Sequence, residues 1–435
     1  CCRADELPGL RGEGLVLRVL RRRDFALLWF AGLVSLTGDW MLIVALPVTV
    51  YELTGSALAT GGVLIANRLP ALVLGSVAGV FVDRWDRKRT MVVANLVRAP
   101  ILLLLVAVDS AEQVWIAYVV AAAASAAGQF FRPAENALLP RLVGEEHLVP
   151  ANALNALNDN LSRLVGPALG GLVVAWYGLG GVAAVDAASF LVAAGMIAAI
   201  AASTRPERTL PPAAATATGT WPAVWREWLA GLRLIRENRA LRVVFGVIAI
   251  SSLGEGVMGT AFWVYVDEAL EGGTREAGWL MSAQAVGGMV GAVVIGAWGK
   301  GRSPVSLLGW GAIGLGLIDL ATFNYPAFAP VIWPGLVLMA VVGVPVTAFG
   351  TGYVAAIQAE AEDAYRGRIF GALGTTTALL MIVGAAIAGV ATERLGAVAV
   401  LTIDSLAYVA AGLFALRTLR AAAASRIGHK QRSVG

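Results

Sequence analysis

Twelve long apolar stretches alternate with short polar segments along the chain: residues 25–51, 58–82, 90–108, 114–131, 152–176, 180–202, 241–266, 276–298, 304–322, 329–355, 369–392 and 396–416. A helix that crosses the hydrocarbon core of a bilayer needs roughly 20 apolar residues, and these stretches match that length. Backbone groups in lipid must be satisfied within their own segment, so the stretches are predicted to be membrane-spanning helices. One segment breaks the rhythm. Residues 203–240 open as the Pro/Ala/Thr-rich STRPERTLPPAAATATGT and continue as TWPAVWREWLAGLRLIREN. The second piece predicts an interfacial amphipathic helix with Trp221, Trp225, Trp228 and Leu232 towards lipid. The expected organisation is a segment 1–24, a six-helix half 25–202, a linker with the amphipathic helix at 203–240, a second six-helix half 241–416 and a tail 417–435.

Composition supports the membrane reading. Of 435 residues 58% are hydrophobic and 14% charged, with a mean hydropathy of +0.74. Soluble domains carry roughly 25% charged residues, so a soluble core could not absorb this chain. Of the 33 lysines and arginines, 28 fall in alternate connecting segments and both chain ends, counting Arg242 at the edge of the seventh stretch, and two, Arg275 and Arg394, in the others. By the positive-inside rule both termini are expected in the cytoplasm. The pI near 9.3 then reports orientation, and nothing in the chain resembles a nucleic-acid module. Arginine outnumbers lysine 30 to 3, which is read as the coding bias of a bacterial genome. The first apolar stretch is long enough to span, so it is read as a helix and not as a cleaved leader.

Composition also excludes several chemistries. The two cysteines, Cys1 and Cys2, have no disulfide or metal spacing. His147 and His429 lie in connecting segments, so histidine is not expected to carry protons through the membrane. There is no GxxxxGK[ST] loop and no GxSxG elbow. No enzyme activity, cofactor or metal is expected.

The two halves repeat at an offset near 218 residues. Gly166, Gly171, Gly178 and Asp186 recur as Gly384, Gly389, Gly396 and Asp404, and DAASFLVAAG at 186 is related to DSLAYVAAG at 404. At an offset near 216, SLTGDW at 35–40 is related to SSLGEG at 251–256, which aligns Asp39 with Glu255.

Charges inside the apolar stretches are the candidates for function. Asp39 lies fourteen residues into the first stretch, about 21 Å along a helix at 1.5 Å per residue, near the bilayer centre. A carboxylate there costs at least about 2.5–3.5 kcal/mol, so it must pair or take up a proton. Asp39 and Glu255 are the candidate proton-coupling pair, with a structural ion pair or helix cap as the plainer alternative for Asp39. Arg68, Arg98 and Arg163 also lie within stretches. Arginine keeps its proton, so each is a partner for an acid or for an anionic substrate. Arg98 is read as shallower, snorkelling to the interface. Arg163 is expected to face the interior and to pair with Asp39 or Asp186. Asp39, Arg68, Gln129, Asn158, Arg163 and Glu255 form the expected substrate cavity, and Trp40, Phe262, Trp263 and Tyr265 are candidate lining.

Two motifs carry a resemblance. GVFVDRWDRK, Gly79 to Lys88, joins the second and third stretches; Gly79 permits close helix approach, and Asp83 sits at the membrane boundary beside the basic Arg84, Arg87 and Lys88. SRLVGPALGG at 162–171 places Gly166, Pro167, Gly170 and Gly171 in the fifth stretch. The first resembles the loop signature of the major facilitator superfamily, with Asp86 where that family usually has glycine. The second resembles the antiporter motif GxxxGPxxGG, with Ser162 in place of the first glycine. Together with GDWMLIVALPVTVYELTGSALATG at 38–61 and FFRPAENALLPRLV at 130–143, the chain resembles the twelve-helix branch that holds macrolide-efflux and enterobactin-export proteins. Many proton antiporters of that superfamily carry an arginine within the fourth helix; here 114–131 has none, and Arg132 follows it.

The resemblance implies an all-α membrane protein of two pseudo-symmetric six-helix halves, with Gly79, Asp83, Arg84, Arg87 and Lys88 as a gating loop. It implies a secondary transporter that exports amphipathic small molecules in exchange for protons, from a midplane site. The expected setting is the bacterial cytoplasmic membrane, as a monomer. The alternatives are a carrier of a defined metabolite or lysophospholipid, with Arg68 and Arg163 favouring an anionic head group, and, more remotely, a membrane sensor without transport.

Overall fold

The structure is a computed structural model, and it describes residues 19–82, 85–201, 221–299, 301–361 and 363–432. Asp83, Arg84, Lys300, the Pro/Ala/Thr linker and the two cysteines lie outside these residues. The described chain is built of helices: α1 (Arg23–Thr54), α2 (Ala57–Val82), α3 (Arg87–Leu103), α4 (Val114–Val143), α5 (Leu148–Ala198), α6 (Trp221–Glu237), α7 (Arg239–Leu270), α8 (Thr274–Trp298), α9 (Pro304–Asn324), α10 (Ile332–Glu360), α11 (Asp363–Leu395) and α12 (Ala397–Arg432).

Eleven of these helical segments are long and apolar enough to cross a membrane. One of them is two passes. The 51 residues of α5 would measure about 77 Å if straight, more than twice the roughly 30 Å hydrocarbon core. Gly178, at φ 64° and ψ −170°, breaks the helix in a conformation that a side chain would disfavour. Residues on either side of the break, Gly166 and Asp186, both lie against the middle of α1, so the chain doubles back at Gly178. Twelve passes result. The repeat-related Gly396, at φ 81°, makes the corresponding turn between α11 and α12.

The repeat is visible in the packing. On α5, a Cβ at Gly166 or Gly170 would meet α1, and one at Gly171 would meet Thr274 and Arg275 of α8. On α11, a Cβ at Gly384 would meet Leu253 and Gly256 of α7, and one at Gly389 would meet Leu58 of α2. Each half thus uses one glycine-lined helix to pack both within itself and against the other half. Lipid gives no hydrophobic drive for helix association, so such close backbone approach supplies the van der Waals contact that holds passes together.

Three sequence expectations are corrected. α4 continues past residue 131 to Val143, because a helix need not stop where its apolar stretch does. The amphipathic helix forms as α6, but its apolar face does not all turn to lipid. Trp228, Leu232 and the buried Ile235 pack with α7, α10 and α11, and Trp228 Nε1 donates to Thr376 Oγ1 at 3.1 Å. Trp225 remains exposed. Phe262, Trp263 and Tyr265 pack instead of lining a cavity in this conformation: they are buried among residues of both halves, including Val44 and Val48, and Tyr265 Oη donates to the Thr322 carbonyl.

The halves are joined firmly at the end of the molecule opposite the described chain ends. There Tyr51 Oη donates to Glu268 Oε1 at 2.7 Å, and Glu393 Oε1 accepts from Ser56 Oγ at 2.6 Å and from the Leu58 N–H at 3.3 Å.

Candidate functional site

Midway along α1, glycine and acid alternate in purpose. Gly38 has no side chain because Asp186 of the second α5 pass fills the space where its Cβ would stand. The next residue, Asp39, turns to α3 and accepts a charge-assisted hydrogen bond from Arg98 Nη2 at 2.5 Å. The acid side chain keeps 29% of its surface accessible and the arginine 13%. Arg98 also lies over Phe190, with Cζ 3.9 Å from the ring centroid. Gly128 of α4 lies beside the guanidinium, where a Cβ would make an ordinary contact with Arg98 Cζ at 4.0 Å. Asp186 is fully buried, and its Oδ1 accepts from Ser189 Oγ at 3.1 Å.

This arrangement corrects the expected pairing. Asp39 is held by Arg98, not by Arg163. Arg98 does not snorkel: α3 begins at Arg87, so Arg98 lies about 16 Å along it, beyond the reach of its own side chain to the helix start. Arg163 faces the other half instead. Its Nη2 donates to Gln284 Oε1 of α8 at 2.8 Å, and its guanidinium stands 5.6 Å from the Trp40 ring centroid. Glu255 of α7 is exposed and within electrostatic reach of Arg163, which puts it on the face of the second half that looks across the gap.

The remaining expected cavity residues divide. Arg68 has a buried Nε without a hydrogen-bond partner among the described residues. Gln129 donates back to the Ser125 carbonyl of its own helix at 3.3 Å. Asn158 belongs to packing, not to a cavity: it is buried and donates to the Trp29 carbonyl of α1 at 2.7 Å. The buried amide needs that bond and the one its Oδ1 accepts from Ser162 Oγ at 3.5 Å, because an unpaired buried amide is costly.

In the second half, Gly254 of α7 packs on Asp404 of α12 as Gly38 does on Asp186. Tyr408 stands where the repeat has Phe190; its Oη accepts from Ser251 Oγ at 3.1 Å and donates to the Ser251 carbonyl at 3.0 Å. The arginine is not repeated, since Gly314 to Gly316 occupy the places related to Arg98. Among the described residues no group of His, Cys, Asp and Glu could hold a metal ion.

At the motif loop, Asp83 and Arg84 are outside the described residues. Asp86, the departure from the usual glycine, caps α3 by accepting from the Arg89 N–H at 2.9 Å. Lys88 Nζ donates to the Ile200 carbonyl at 2.7 Å, which ties the start of α3 to the end of α5.

Comparison with known proteins adds to this geometry. A family model described as transmembrane secretion effector matches residues 16–431. The chain is 28% identical over 411 residues to the multidrug efflux pump Tap of Mycolicibacterium fortuitum, covering 91% of this chain and 96% of that one. It is 25% identical over 377 residues to macrolide efflux protein A of Streptococcus pyogenes, covering 86% and 90%. Among solved structures, a bacterial homologue of the iron transporter ferroportin in an inward-facing state shares the fold at a TM-score of 0.71 and 15% identity, covering 91% and 98%.

Proposed function

The chain belongs to the transmembrane secretion effector family of the major facilitator superfamily and is a multi-pass membrane transporter of small molecules; from that premise we propose that it exports amphipathic compounds from a bacterial cytoplasm in exchange for protons. The efflux pumps similar to it over most of their length support export. The proposed setting is the cytoplasmic membrane, with both termini inside. The end joined by Tyr51–Glu268 and Ser56–Glu393 is then the outer end, and rocking the halves about mid-depth opens it while the inner end closes.

The observation that carries proton coupling is the Asp39–Arg98 pair. A partly accessible carboxylate in mid-membrane, held by a single cation, can exchange that cation for a proton when water reaches it. Glu255, on the facing half, is the second proposed coupling acid. Arg163, Gln284 and Trp40 line the gap beside it. Gly79, Asp83, Arg84, Arg87 and Lys88 are proposed as the gating loop. Uptake of a compound panel into everted membrane vesicles, with and without a protonophore, tests this. Coupled export predicts that accumulation against a gradient stops when the protonophore is added.

A second reading has one specific observation behind it. The Nε of Arg68, without a partner among the described residues, would suit an anionic head group, which favours a carrier of an anionic metabolite or lysophospholipid. Thermal stabilisation of the purified protein by anionic but not cationic compounds would select that reading.

A further inference from the structure

Arg98 stands between two acids and is bonded to one of them. Asp39 of α1 takes its Nη2; Asp186, on the second pass of α5, is within electrostatic reach of both Arg98 and Asp39. Asp186 is fully buried, and its Oδ2 has no hydrogen-bond partner among the described residues. The Nε of Arg98 is likewise buried and without a partner. An orphaned acceptor and an orphaned donor therefore sit in the same cluster. Phe190 lies one helical turn after Asp186, on the same face of that pass, and its ring carries the guanidinium. Arg98 already rests over the face that presents Asp186.

One guanidinium neutralises one carboxylate. A second ionised carboxylate, buried with no cation of its own, is far costlier than a neutral carboxyl. We propose that Asp39 and Asp186 share Arg98 as a single movable counter-ion, and that the acid without the guanidinium carries the transported proton. In the conformation described here that acid is Asp186. The exchange balances. A proton from cavity water bonds to a carboxylate oxygen of Asp39 and its ion pair with Arg98 breaks. Arg98, which keeps its own protons, turns to Asp186; the O–H bond of Asp186 breaks, and its proton leaves to water on the side then open. One proton enters, one leaves, and the cluster charge is unchanged. The other groups facing the cluster are Ser189, which donates to Asp186, and Arg132 of α4, which acts on Asp39 from farther away. Gly38 contributes the space that Asp186 fills. This inference rests on the proton coupling proposed above and assigns it a second acid.

Dicyclohexylcarbodiimide, which reacts with protonated carboxyls, tests the sharing on the full-length protein in native membranes, with modification at residues 39 and 186 read by mass spectrometry. In Asp186→Asn nothing competes for Arg98, so labelling of Asp39 at a given pH should fall at least tenfold below that of the unaltered chain. Equal labelling of Asp39 in both would overturn the proposal. The unaltered chain gives a second readout that needs no variant. A labelled Asp186 is permanently neutral and leaves Arg98 on Asp39, so doubly labelled molecules should be at least tenfold rarer than independent labelling predicts. Double labelling at the independent frequency would also overturn the proposal, as would labelling of Asp186 that does not change with pH. The parent reading fails separately: if export by the unaltered chain ignores the protonophore, proton coupling is wrong whatever the labelling shows.

Discussion

Arg163 of the first half and Gln284 of the second are joined by a hydrogen bond of 2.8 Å at mid-depth, where the halves face one another. An interaction across the gap can differ between the two states of a rocking transporter, and only such differences shift their balance.

The Arg163–Gln284 bond should therefore act on conformational equilibrium. A hydrogen bond to a charged group contributes about 1.5–3 kcal/mol when buried; here both ends are partly accessible, so about 1 kcal/mol is expected. Arg163→Ala and Gln284→Ala should each shift the ratio of states about fivefold, and the double variant should shift it no further. Labelling rates of single cysteines placed at the two ends of the molecule measure this ratio. Additive shifts in the double variant would show that the two residues do not act through one another.

Gly170 should tolerate no side chain. A Cβ there would press into the Met41 backbone of α1, and helix backbones cannot yield as side chains do. Gly170→Ala is expected to destabilise by about 1–3 kcal/mol. Gly195 lies on the same helix with open space around it, so Gly195→Ala should leave the melting temperature unchanged or raise it slightly. Thermal unfolding of the two purified variants side by side checks the contrast.

Asp86 departs from the superfamily signature and is used as a helix cap. Asp86→Ala should lower stability by about 1 kcal/mol, whereas Asp86→Gly should cost only a few tenths. Equal losses in both would mean that the carboxylate has a role beyond capping α3.

Much of this architecture was legible in the sequence because bilayer thickness sets the length of each pass, and the apolar stretches repeat that length. The repeat was legible too: Gly178 and Gly396 turn the chain at equivalent places, and Gly38 and Gly254 back onto Asp186 and Asp404. Azimuth was not legible. Depth along a helix says that Asp39 needs a partner but not which neighbour it faces, and both Arg98 and Arg163 were available. The basic cluster from Arg84 to Arg89, which marks the membrane boundary, was the signal that places Arg98 too deep to snorkel. Asn158 was misjudged for the same reason: an asparagine in an apolar stretch can face a cavity or satisfy a neighbouring carbonyl, and here it bonds Trp29. The docking of Trp228 and Leu232 depended on a groove formed by helices distant in sequence, which an amphipathic pattern cannot distinguish from a lipid surface.

The central claim is that Asp39 couples transport to protons. The most direct measurement is proton-driven uptake of an exported compound into everted vesicles carrying Asp39→Asn, beside downhill exchange of the same compound without a gradient. The account predicts that accumulation against the gradient is lost while downhill exchange continues, because the neutral side chain releases Arg98 but cannot carry a proton. Normal gradient-driven accumulation by Asp39→Asn would contradict it.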